Sequence, residues 1–256
     1  MKQIPNIFTL FNLVFGCIAI VFALQTENII IESNEAFISS FNIPEKLAVA
    51  GLFLFAAAIV DFLDGFVARL LHASSEMGKQ LDSLSDVVSF GVAPGVIIYQ
   101  LLRISFMREE NGLDVNMPWL LPAFILPAAA AYRLAKFNID NTQQYGFKGV
   151  PTPAVGLLIA SLPLILHYGS GFAFVTEWLI NKYVLYTLIA ITSWLMVSNL
   201  PLLALKFKDY SFKNNMPTYC LLAVSVIATL FLKWLAVPIV FITYIILSLT
   251  TAKKLQ

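Results

Sequence analysis

Apolar residues run in long blocks along this chain, with short polar stretches between them. Eight such segments stand out, roughly 5–25, 46–71, 80–102, 117–137, 151–168, 184–205, 216–232 and 234–252. A helix needs about 20 mostly apolar residues to cross the hydrocarbon core of a bilayer, and several segments meet that length. The pattern predicts an all-α, polytopic membrane bundle of about eight transmembrane helices, forming a single integral-membrane domain over residues 1–256. The last two segments are divided only by Lys233 and a short turn, and 216–252 reads as accessory to the rest. The stretch 172–181 is apolar but carries Glu177, which suits an interfacial piece better than a span. Near the N-terminus, Lys2 and an apolar run imitate a signal peptide. Pro5-Asn6 interrupts that run, and no small-x-small cleavage site precedes Gln25, so the first segment is read as a retained span.

Composition agrees with lipid as the main solvent. Of the 256 residues, 59% are hydrophobic and 12% are charged, against about 25% charged in an ordinary soluble domain. Mean hydropathy is +0.81. A net charge of +1 offers nothing to a nucleic acid. Cys17 and Cys220 both lie in apolar runs and read as packing residues, not as a disulfide or metal pair. The loop cations orient the chain. With a cytoplasmic N-terminus, eleven of the sixteen Lys and Arg fall on the cytoplasmic side. That bias predicts both termini in the cytoplasm, hence an even number of spans. It also puts the Arg69–Gln80 turn on the cytoplasmic side.

Four acids break the apolar pattern beside that turn. Asp61, Asp64, Gly65 and Ala68 follow at i, i+3, i+4 and i+7, one helix face. Gly78, Asp82 and Asp86 follow at i, i+4 and i+8, again one face. The turn around His72–Ser75 makes the two helices antiparallel neighbours, so the stripes can face each other. An aspartate at the centre of a membrane helix costs about 2.5–3.5 kcal/mol, and mutual repulsion adds to that unless cations enter. Only Arg69 and Lys79 are close in sequence. Clustered carboxylates suit two hard divalent ions, Mg²⁺ or Mn²⁺, which would clamp a diphosphate. Gly65, Ala68 and Gly78 leave a gap that a flat nucleotide can enter. Taken alone, they read more readily as close-packing positions between helices.

These residues together resemble the signature of the CDP-alcohol phosphotransferase family, D-x₂-D-G-x₂-A-R-x₈-G-x₃-D-x₃-D, with every fixed position filled from Asp61 to Asp86. Chance agreement at eight specified positions is on the order of 10⁻¹⁰ per start. The resemblance implies that CMP is displaced from a CDP-linked substrate by an alcohol. Asp61, Asp64 and Asp82 would hold the metals, and Asp86 would complete the cluster and act as base on the attacking hydroxyl. Gly65, Ala68 and Gly78 would line the cytidine pocket, while Arg69 would brace the motif or touch the nucleotide. Asn6 and Thr9 sit one turn apart at the mouth of the first helix. They can bond nucleotide or phosphate, or cap the helix. His72 in the turn reads as solvent-facing.

Outside the signature, Ile4–Asn12, Ser89–Gly95, Tyr132–Asn138, Phe147–Ala154 and Met196–Asn199 resemble the phosphatidylserine synthase branch of that family, over roughly the first 215 residues. The branch implies CDP-diacylglycerol and L-serine as substrates, a membrane-lipid product and a homodimer, in the inner membrane of a bacterial cell. Serine carries a carboxylate that needs cationic or amide donors. Arg133 can grip it in a bidentate fashion, with Asn138 and Lys148 as further contacts. On spacing alone, Arg133 reads equally as a positive-inside anchor, and Lys148 equally as a headgroup contact. Lys136 reads as an anchor, and Asn199 has no assigned role. Glycerol 3-phosphate or inositol phosphate as acceptor would call for a denser basic pocket. A cation transporter is the reading from another class, because intramembrane acids often mark ion pathways. It predicts acids scattered over several spans, whereas here all four lie on two adjacent segments.

Overall fold

The computed structural model describes residues 4–25, 45–71, 75–108, 115–139, 147–169, 173–203 and 215–252. These form helices α1 (Ile4–Leu24), α2 (Glu45–Leu70), α3 (Glu76–Val87), α4 (Ala93–Met107), α5 (Ile125–Ile139), α6 (Thr152–Tyr168), α7 (Ala173–Leu179), α8 (Lys182–Val197), α9 (Met216–Leu232) and α10 (Ala236–Ala252). Each of the eight apolar segments contains a helix. Four runs are long and apolar enough to cross a membrane: Pro5–Leu24, Glu45–Leu70, Glu76–Met107 and Met216–Thr251. The last of these holds both α9 and α10, joined by a tight turn in which Lys233 has a φ of +50°. The 172–181 stretch yields only the seven-residue α7.

α3 and α4 form one rod with a π-helical turn, Val88–Val92, between them. Pro94 offers no N–H, and its ring crowds the carbonyl four residues back. The wider turn accommodates this, with the Ala93 N–H reaching Val88 O. Three other helices converge on the turn. A Cβ at Gly16 of α1 would lie 2.8 Å from Ser89 Cα, and one at Gly156 of α6 would lie 2.9 Å from Phe90 Cβ. On the third side, a Cβ at Gly91 would lie 3.0 Å from Ala130 Cβ of α5. Around this crossing α6 buries twelve of its seventeen residues, so it is the central helix of the bundle. α1 and α2 pack antiparallel, with Phe22 stacked on Phe53 at 5.4 Å near one end and Thr9 meeting Asp64 near the other.

Two local features depart from the sequence expectation. The helix expected over 184–205 ends at Val197. Pro201 biases Leu200 away from helix, and Pro201–Leu202 instead forms strand β2, antiparallel to strand β1 (Phe147–Lys148). The all-α bundle therefore carries a two-stranded clip. Gly149 follows β1 at φ +76°, where its N–H donates to Leu200 O at 3.0 Å. A Cβ there would meet Met196 O at 2.5 Å. Cys17 and Cys220 are free but exposed on helix surfaces, so they are not the packing residues expected from their apolar runs.

The start of α1, α3 and α6 and the end of α2, α5, α8 and α10 gather at one side of the bundle, as the bonds among them require.

Candidate active site

The four acids meet between α2 and α3. Ser75 caps α3, its Oγ accepting from the Gly78 N–H at 3.0 Å, and this sets where the Asp82–Asp86 stripe begins. Carboxylate oxygens of Asp61, Asp64 and Asp82 all lie within 4.8 Å of one another. Asp86 stands one turn deeper on α3, within electrostatic reach of Asp61 and Asp82. Asp64 and Asp86 are buried. Among the described residues their side-chain partners are neutral or acidic. Thr9 Oγ1 donates to Asp64 Oδ2 at 2.7 Å. Asn12 Nδ2 donates to Asp86 Oδ1 at 3.3 Å and, more weakly, to Asp61 Oδ1 at 3.5 Å.

This donor set fits a divalent cation. It is all hard oxygen. In addition, Asn12 is fully buried with its amide against Asp61 and Asp86, and its Oδ1 has no hydrogen-bond partner. A buried acceptor without a donor is costly, and a cation in the cluster would relieve it.

A cavity of about 540 Å³ opens beside the acids, lined among others by Asn6, Thr9, Gly65, Ala68, Gly78 and Lys79. Gly65 corrects the close-packing reading, because a Cβ placed there meets nothing within 4 Å. Its missing side chain leaves room for something other than protein. At Gly78 a Cβ would lie 3.0 Å from Asn6 Oδ1, so Asn6 and Gly78 face each other across the cavity mouth. Arg69 Nε donates to Gly65 O at 2.9 Å, four residues back, and so braces its own helix end. Thr9 Oγ1 spans the gap to Asp64 at 2.7 Å, with Pro5 O at 3.2 Å as the alternative acceptor for its one proton. It is thus bound to the acid cluster and is not a helix cap.

On the other side of Asp86 stands Arg133 of α5, 8% exposed and within electrostatic reach of that acid. Its Nη1 donates to Thr152 Oγ1 at 3.2 Å, while its buried Nε has no partner. Asn138 lies elsewhere. Five residues along a helix is about 140° around its axis, and the Asn138 amide donates to Ser83 Oγ at 2.8 Å. Lys79 Nζ reaches Asn138 O at 3.3 Å, completing a tie between α3 and α5. Lys136 and Asn199 also pair, Nζ to Oδ1 at 2.7 Å, linking α5 to α8. The backbone of Lys148 forms part of β1. Its side chain, like all of His72, lies outside the described residues.

Asn12 and Thr152 had no role in the sequence reading. A signal for Asn12 existed: Asn6, Thr9 and Asn12 are spaced by three in an otherwise apolar span, one polar stripe on one face. Thr152 had none, because only the fold brings it to Arg133.

A model of the CDP-alcohol phosphatidyltransferase family matches residues 2–205. The chain is similar to proteins named CDP-diacylglycerol–serine O-phosphatidyltransferase. One, from Mycobacterium leprae, is 29% identical over 253 residues, covering 96% of this chain and 73% of the relative. Another, from Bacillus subtilis, is 31% identical over 177 residues, covering 66% and 83%. A third, from the archaeon Methanocaldococcus jannaschii, is 37% identical over 148 residues, covering 57% and 60%.

Proposed function

The chain belongs to the CDP-alcohol phosphatidyltransferase family, and from that premise we propose that it transfers the phosphatidyl group of CDP-diacylglycerol to L-serine. The observation that carries this reading is a four-acid cluster with a vacant-walled cavity on one side and a buried, half-satisfied arginine on the other. Cytidine would lie in the cavity against Gly65, Ala68 and Gly78, with Asn6 at its mouth. Asp61, Asp64 and Asp82, with Asp86, would hold two Mg²⁺ or Mn²⁺ ions. Bound there, the ions supply charge neutralisation for the diphosphate.

The remaining steps fall to side chains of this chain. Arg133 would orient the serine carboxylate through its Nε edge, with Thr152 holding the opposite end of the guanidinium. Lys148 belongs to the same side through its strand, and Asn138 supports that side by tying α5 to α3. Asp86 would take the proton from the serine hydroxyl. The serine oxygen then bonds to the lipid-side phosphorus, the bond from that phosphorus to the CMP oxygen breaks, and phosphatidylserine stays in the bilayer.

The cation bias supports a cytoplasmic site and both termini cytoplasmic, which agrees with the eight apolar segments read as spans of one domain over 1–256, and a bacterial inner membrane rests on the family resemblance. A homodimer rests on the family resemblance alone. Purified protein with Mn²⁺, CDP-diacylglycerol and each alcohol in turn tests the acceptor. CMP release is expected with serine. Release with glycerol 3-phosphate or inositol phosphate but not serine would overturn the assignment. Ion flux in liposomes without CMP release would favour the transporter.

A further inference from the structure

The matched family segment ends at residue 205, yet α10, which lies beyond it, reaches back to the acceptor side of the site. Tyr244 and Ser248 stand four residues apart on α10, on one face, and both are buried. Both hydroxyls serve the backbone of one residue, Leu203, which follows β2. The Tyr244 hydroxyl donates to Leu203 O at 3.1 Å, and the Leu203 N–H donates to Ser248 Oγ at 3.2 Å.

From Leu203 the tie continues inward. β2 pairs with β1, and the Gly149 and Val150 N–H groups donate to Leu200 O and Leu195 O, each at 3.0 Å. Two residues on, Thr152 accepts from Arg133.

We propose that Tyr244 and Ser248 are positioning residues for the acceptor alcohol. By holding Leu203, they fix the β1–β2 clip, and with it the backbone at Lys148 and the Thr152–Arg133 pair. This rests on the transferase reading above and deepens it, since recognition of the acceptor then depends on a helix outside the matched segment.

The test uses the full chain with CDP-diacylglycerol and Mn²⁺. CMP release is measured against serine and against CDP-diacylglycerol for the wild type, Tyr244→Phe, Ser248→Ala and the double variant. Each single variant is expected to raise the KM for serine ~3- to 10-fold, the scale of one lost hydrogen bond, with the KM for CDP-diacylglycerol unchanged. The double variant should be no worse than the stronger single one, because both act through Leu203. An unchanged serine KM, or equal rises in both KM values, overturns the proposal. If Tyr244→Phe does not fold, Ser248→Ala removes a single oxygen and decides alone. A wild-type enzyme that releases no CMP with serine is a different failure. It sinks the transferase reading and this proposal with it.

Discussion

Asp86 stands between two walls that the chain builds in different ways. The cavity wall comes from three consecutive helices, α1 to α3, and all its residues fall within positions 5–82. Its cross-links are few and short: Thr9 to Asp64, Asn12 to Asp61 and Asp86, and Ser75 to Gly78. The opposite wall draws Arg133 from α5, Thr152 from α6, the β1–β2 clip, and Tyr244 and Ser248 from α10. A helical hairpin places residues by local periodicity, so one short signature can specify a whole wall. A wall of distant segments needs a relay of tertiary bonds to hold one guanidinium still. Under the proposed chemistry, the first wall handles the part of the substrate common to the family, and the second handles the acceptor.

The comparison breaks most visibly at the group both walls share. Asp86→Asn is expected to lower turnover ~10²- to 10⁴-fold, the usual weight of a general base, while cytidine nucleotide binding persists. A near-normal rate in that variant removes Asp86 from the base role. Arg133→Lys keeps the charge but loses the planar fork. The KM for serine should rise ~10- to 100-fold, in line with a charge-assisted hydrogen bond, with the KM for CDP-diacylglycerol held. If the CDP-diacylglycerol KM moves as far, the two walls are not separate.

Asn12→Ala probes the first wall near the chemistry. It removes the donor shared by Asp61 and Asp86, and kcat is expected to fall ~10-fold with little change in the KM for serine. An unaltered kcat would reduce Asn12 to packing. Gly65→Ala is the mildest and the most discriminating. Alanine favours a helix interior over glycine by about 1 kcal/mol, and the new Cβ meets no protein atom. The variant should therefore melt at a higher temperature and yet show a ~2- to 5-fold higher KM for CDP-diacylglycerol, a cost within what one misfitted methyl causes. A melting temperature that falls would return Gly65 to a packing role.

Much of the first wall was legible in the residues themselves. The spacing of Asp61, Asp64, Gly65 and Ala68 is helical spacing, and the partner stripe lies only a turn away in sequence. The helix positions were legible for the same reason, because apolar block length is a local property. The end of α8 was read too late. Pro201 signals a break, but the strand that follows exists only because β1 is there to pair with it. Asn138 was read as an acceptor contact from the resemblance of Tyr132–Asn138 and from serine's need for amide donors. Its bond to Ser83, about 140° around α5 from Arg133, was not legible because it depends on the packing of α5 against α3.

Sequence alone determined the membrane-buried helical character, the pairing of two acid stripes beside one turn, and the family to which those stripes point. The first two follow from composition and from periodicity within a few turns, and the third from the resemblance of the Asp61–Asp86 motif to a known signature. Only the tertiary structure decided that Gly65 faces open space, that Asn12 bridges Asp61 and Asp86, and that α10 takes hold of the strand leading to Arg133. Those contacts join residues 40 to 75 positions apart or link through several segments. No local pattern encodes them, because they arise only when the packed helices bring their ends to the same side of the bundle.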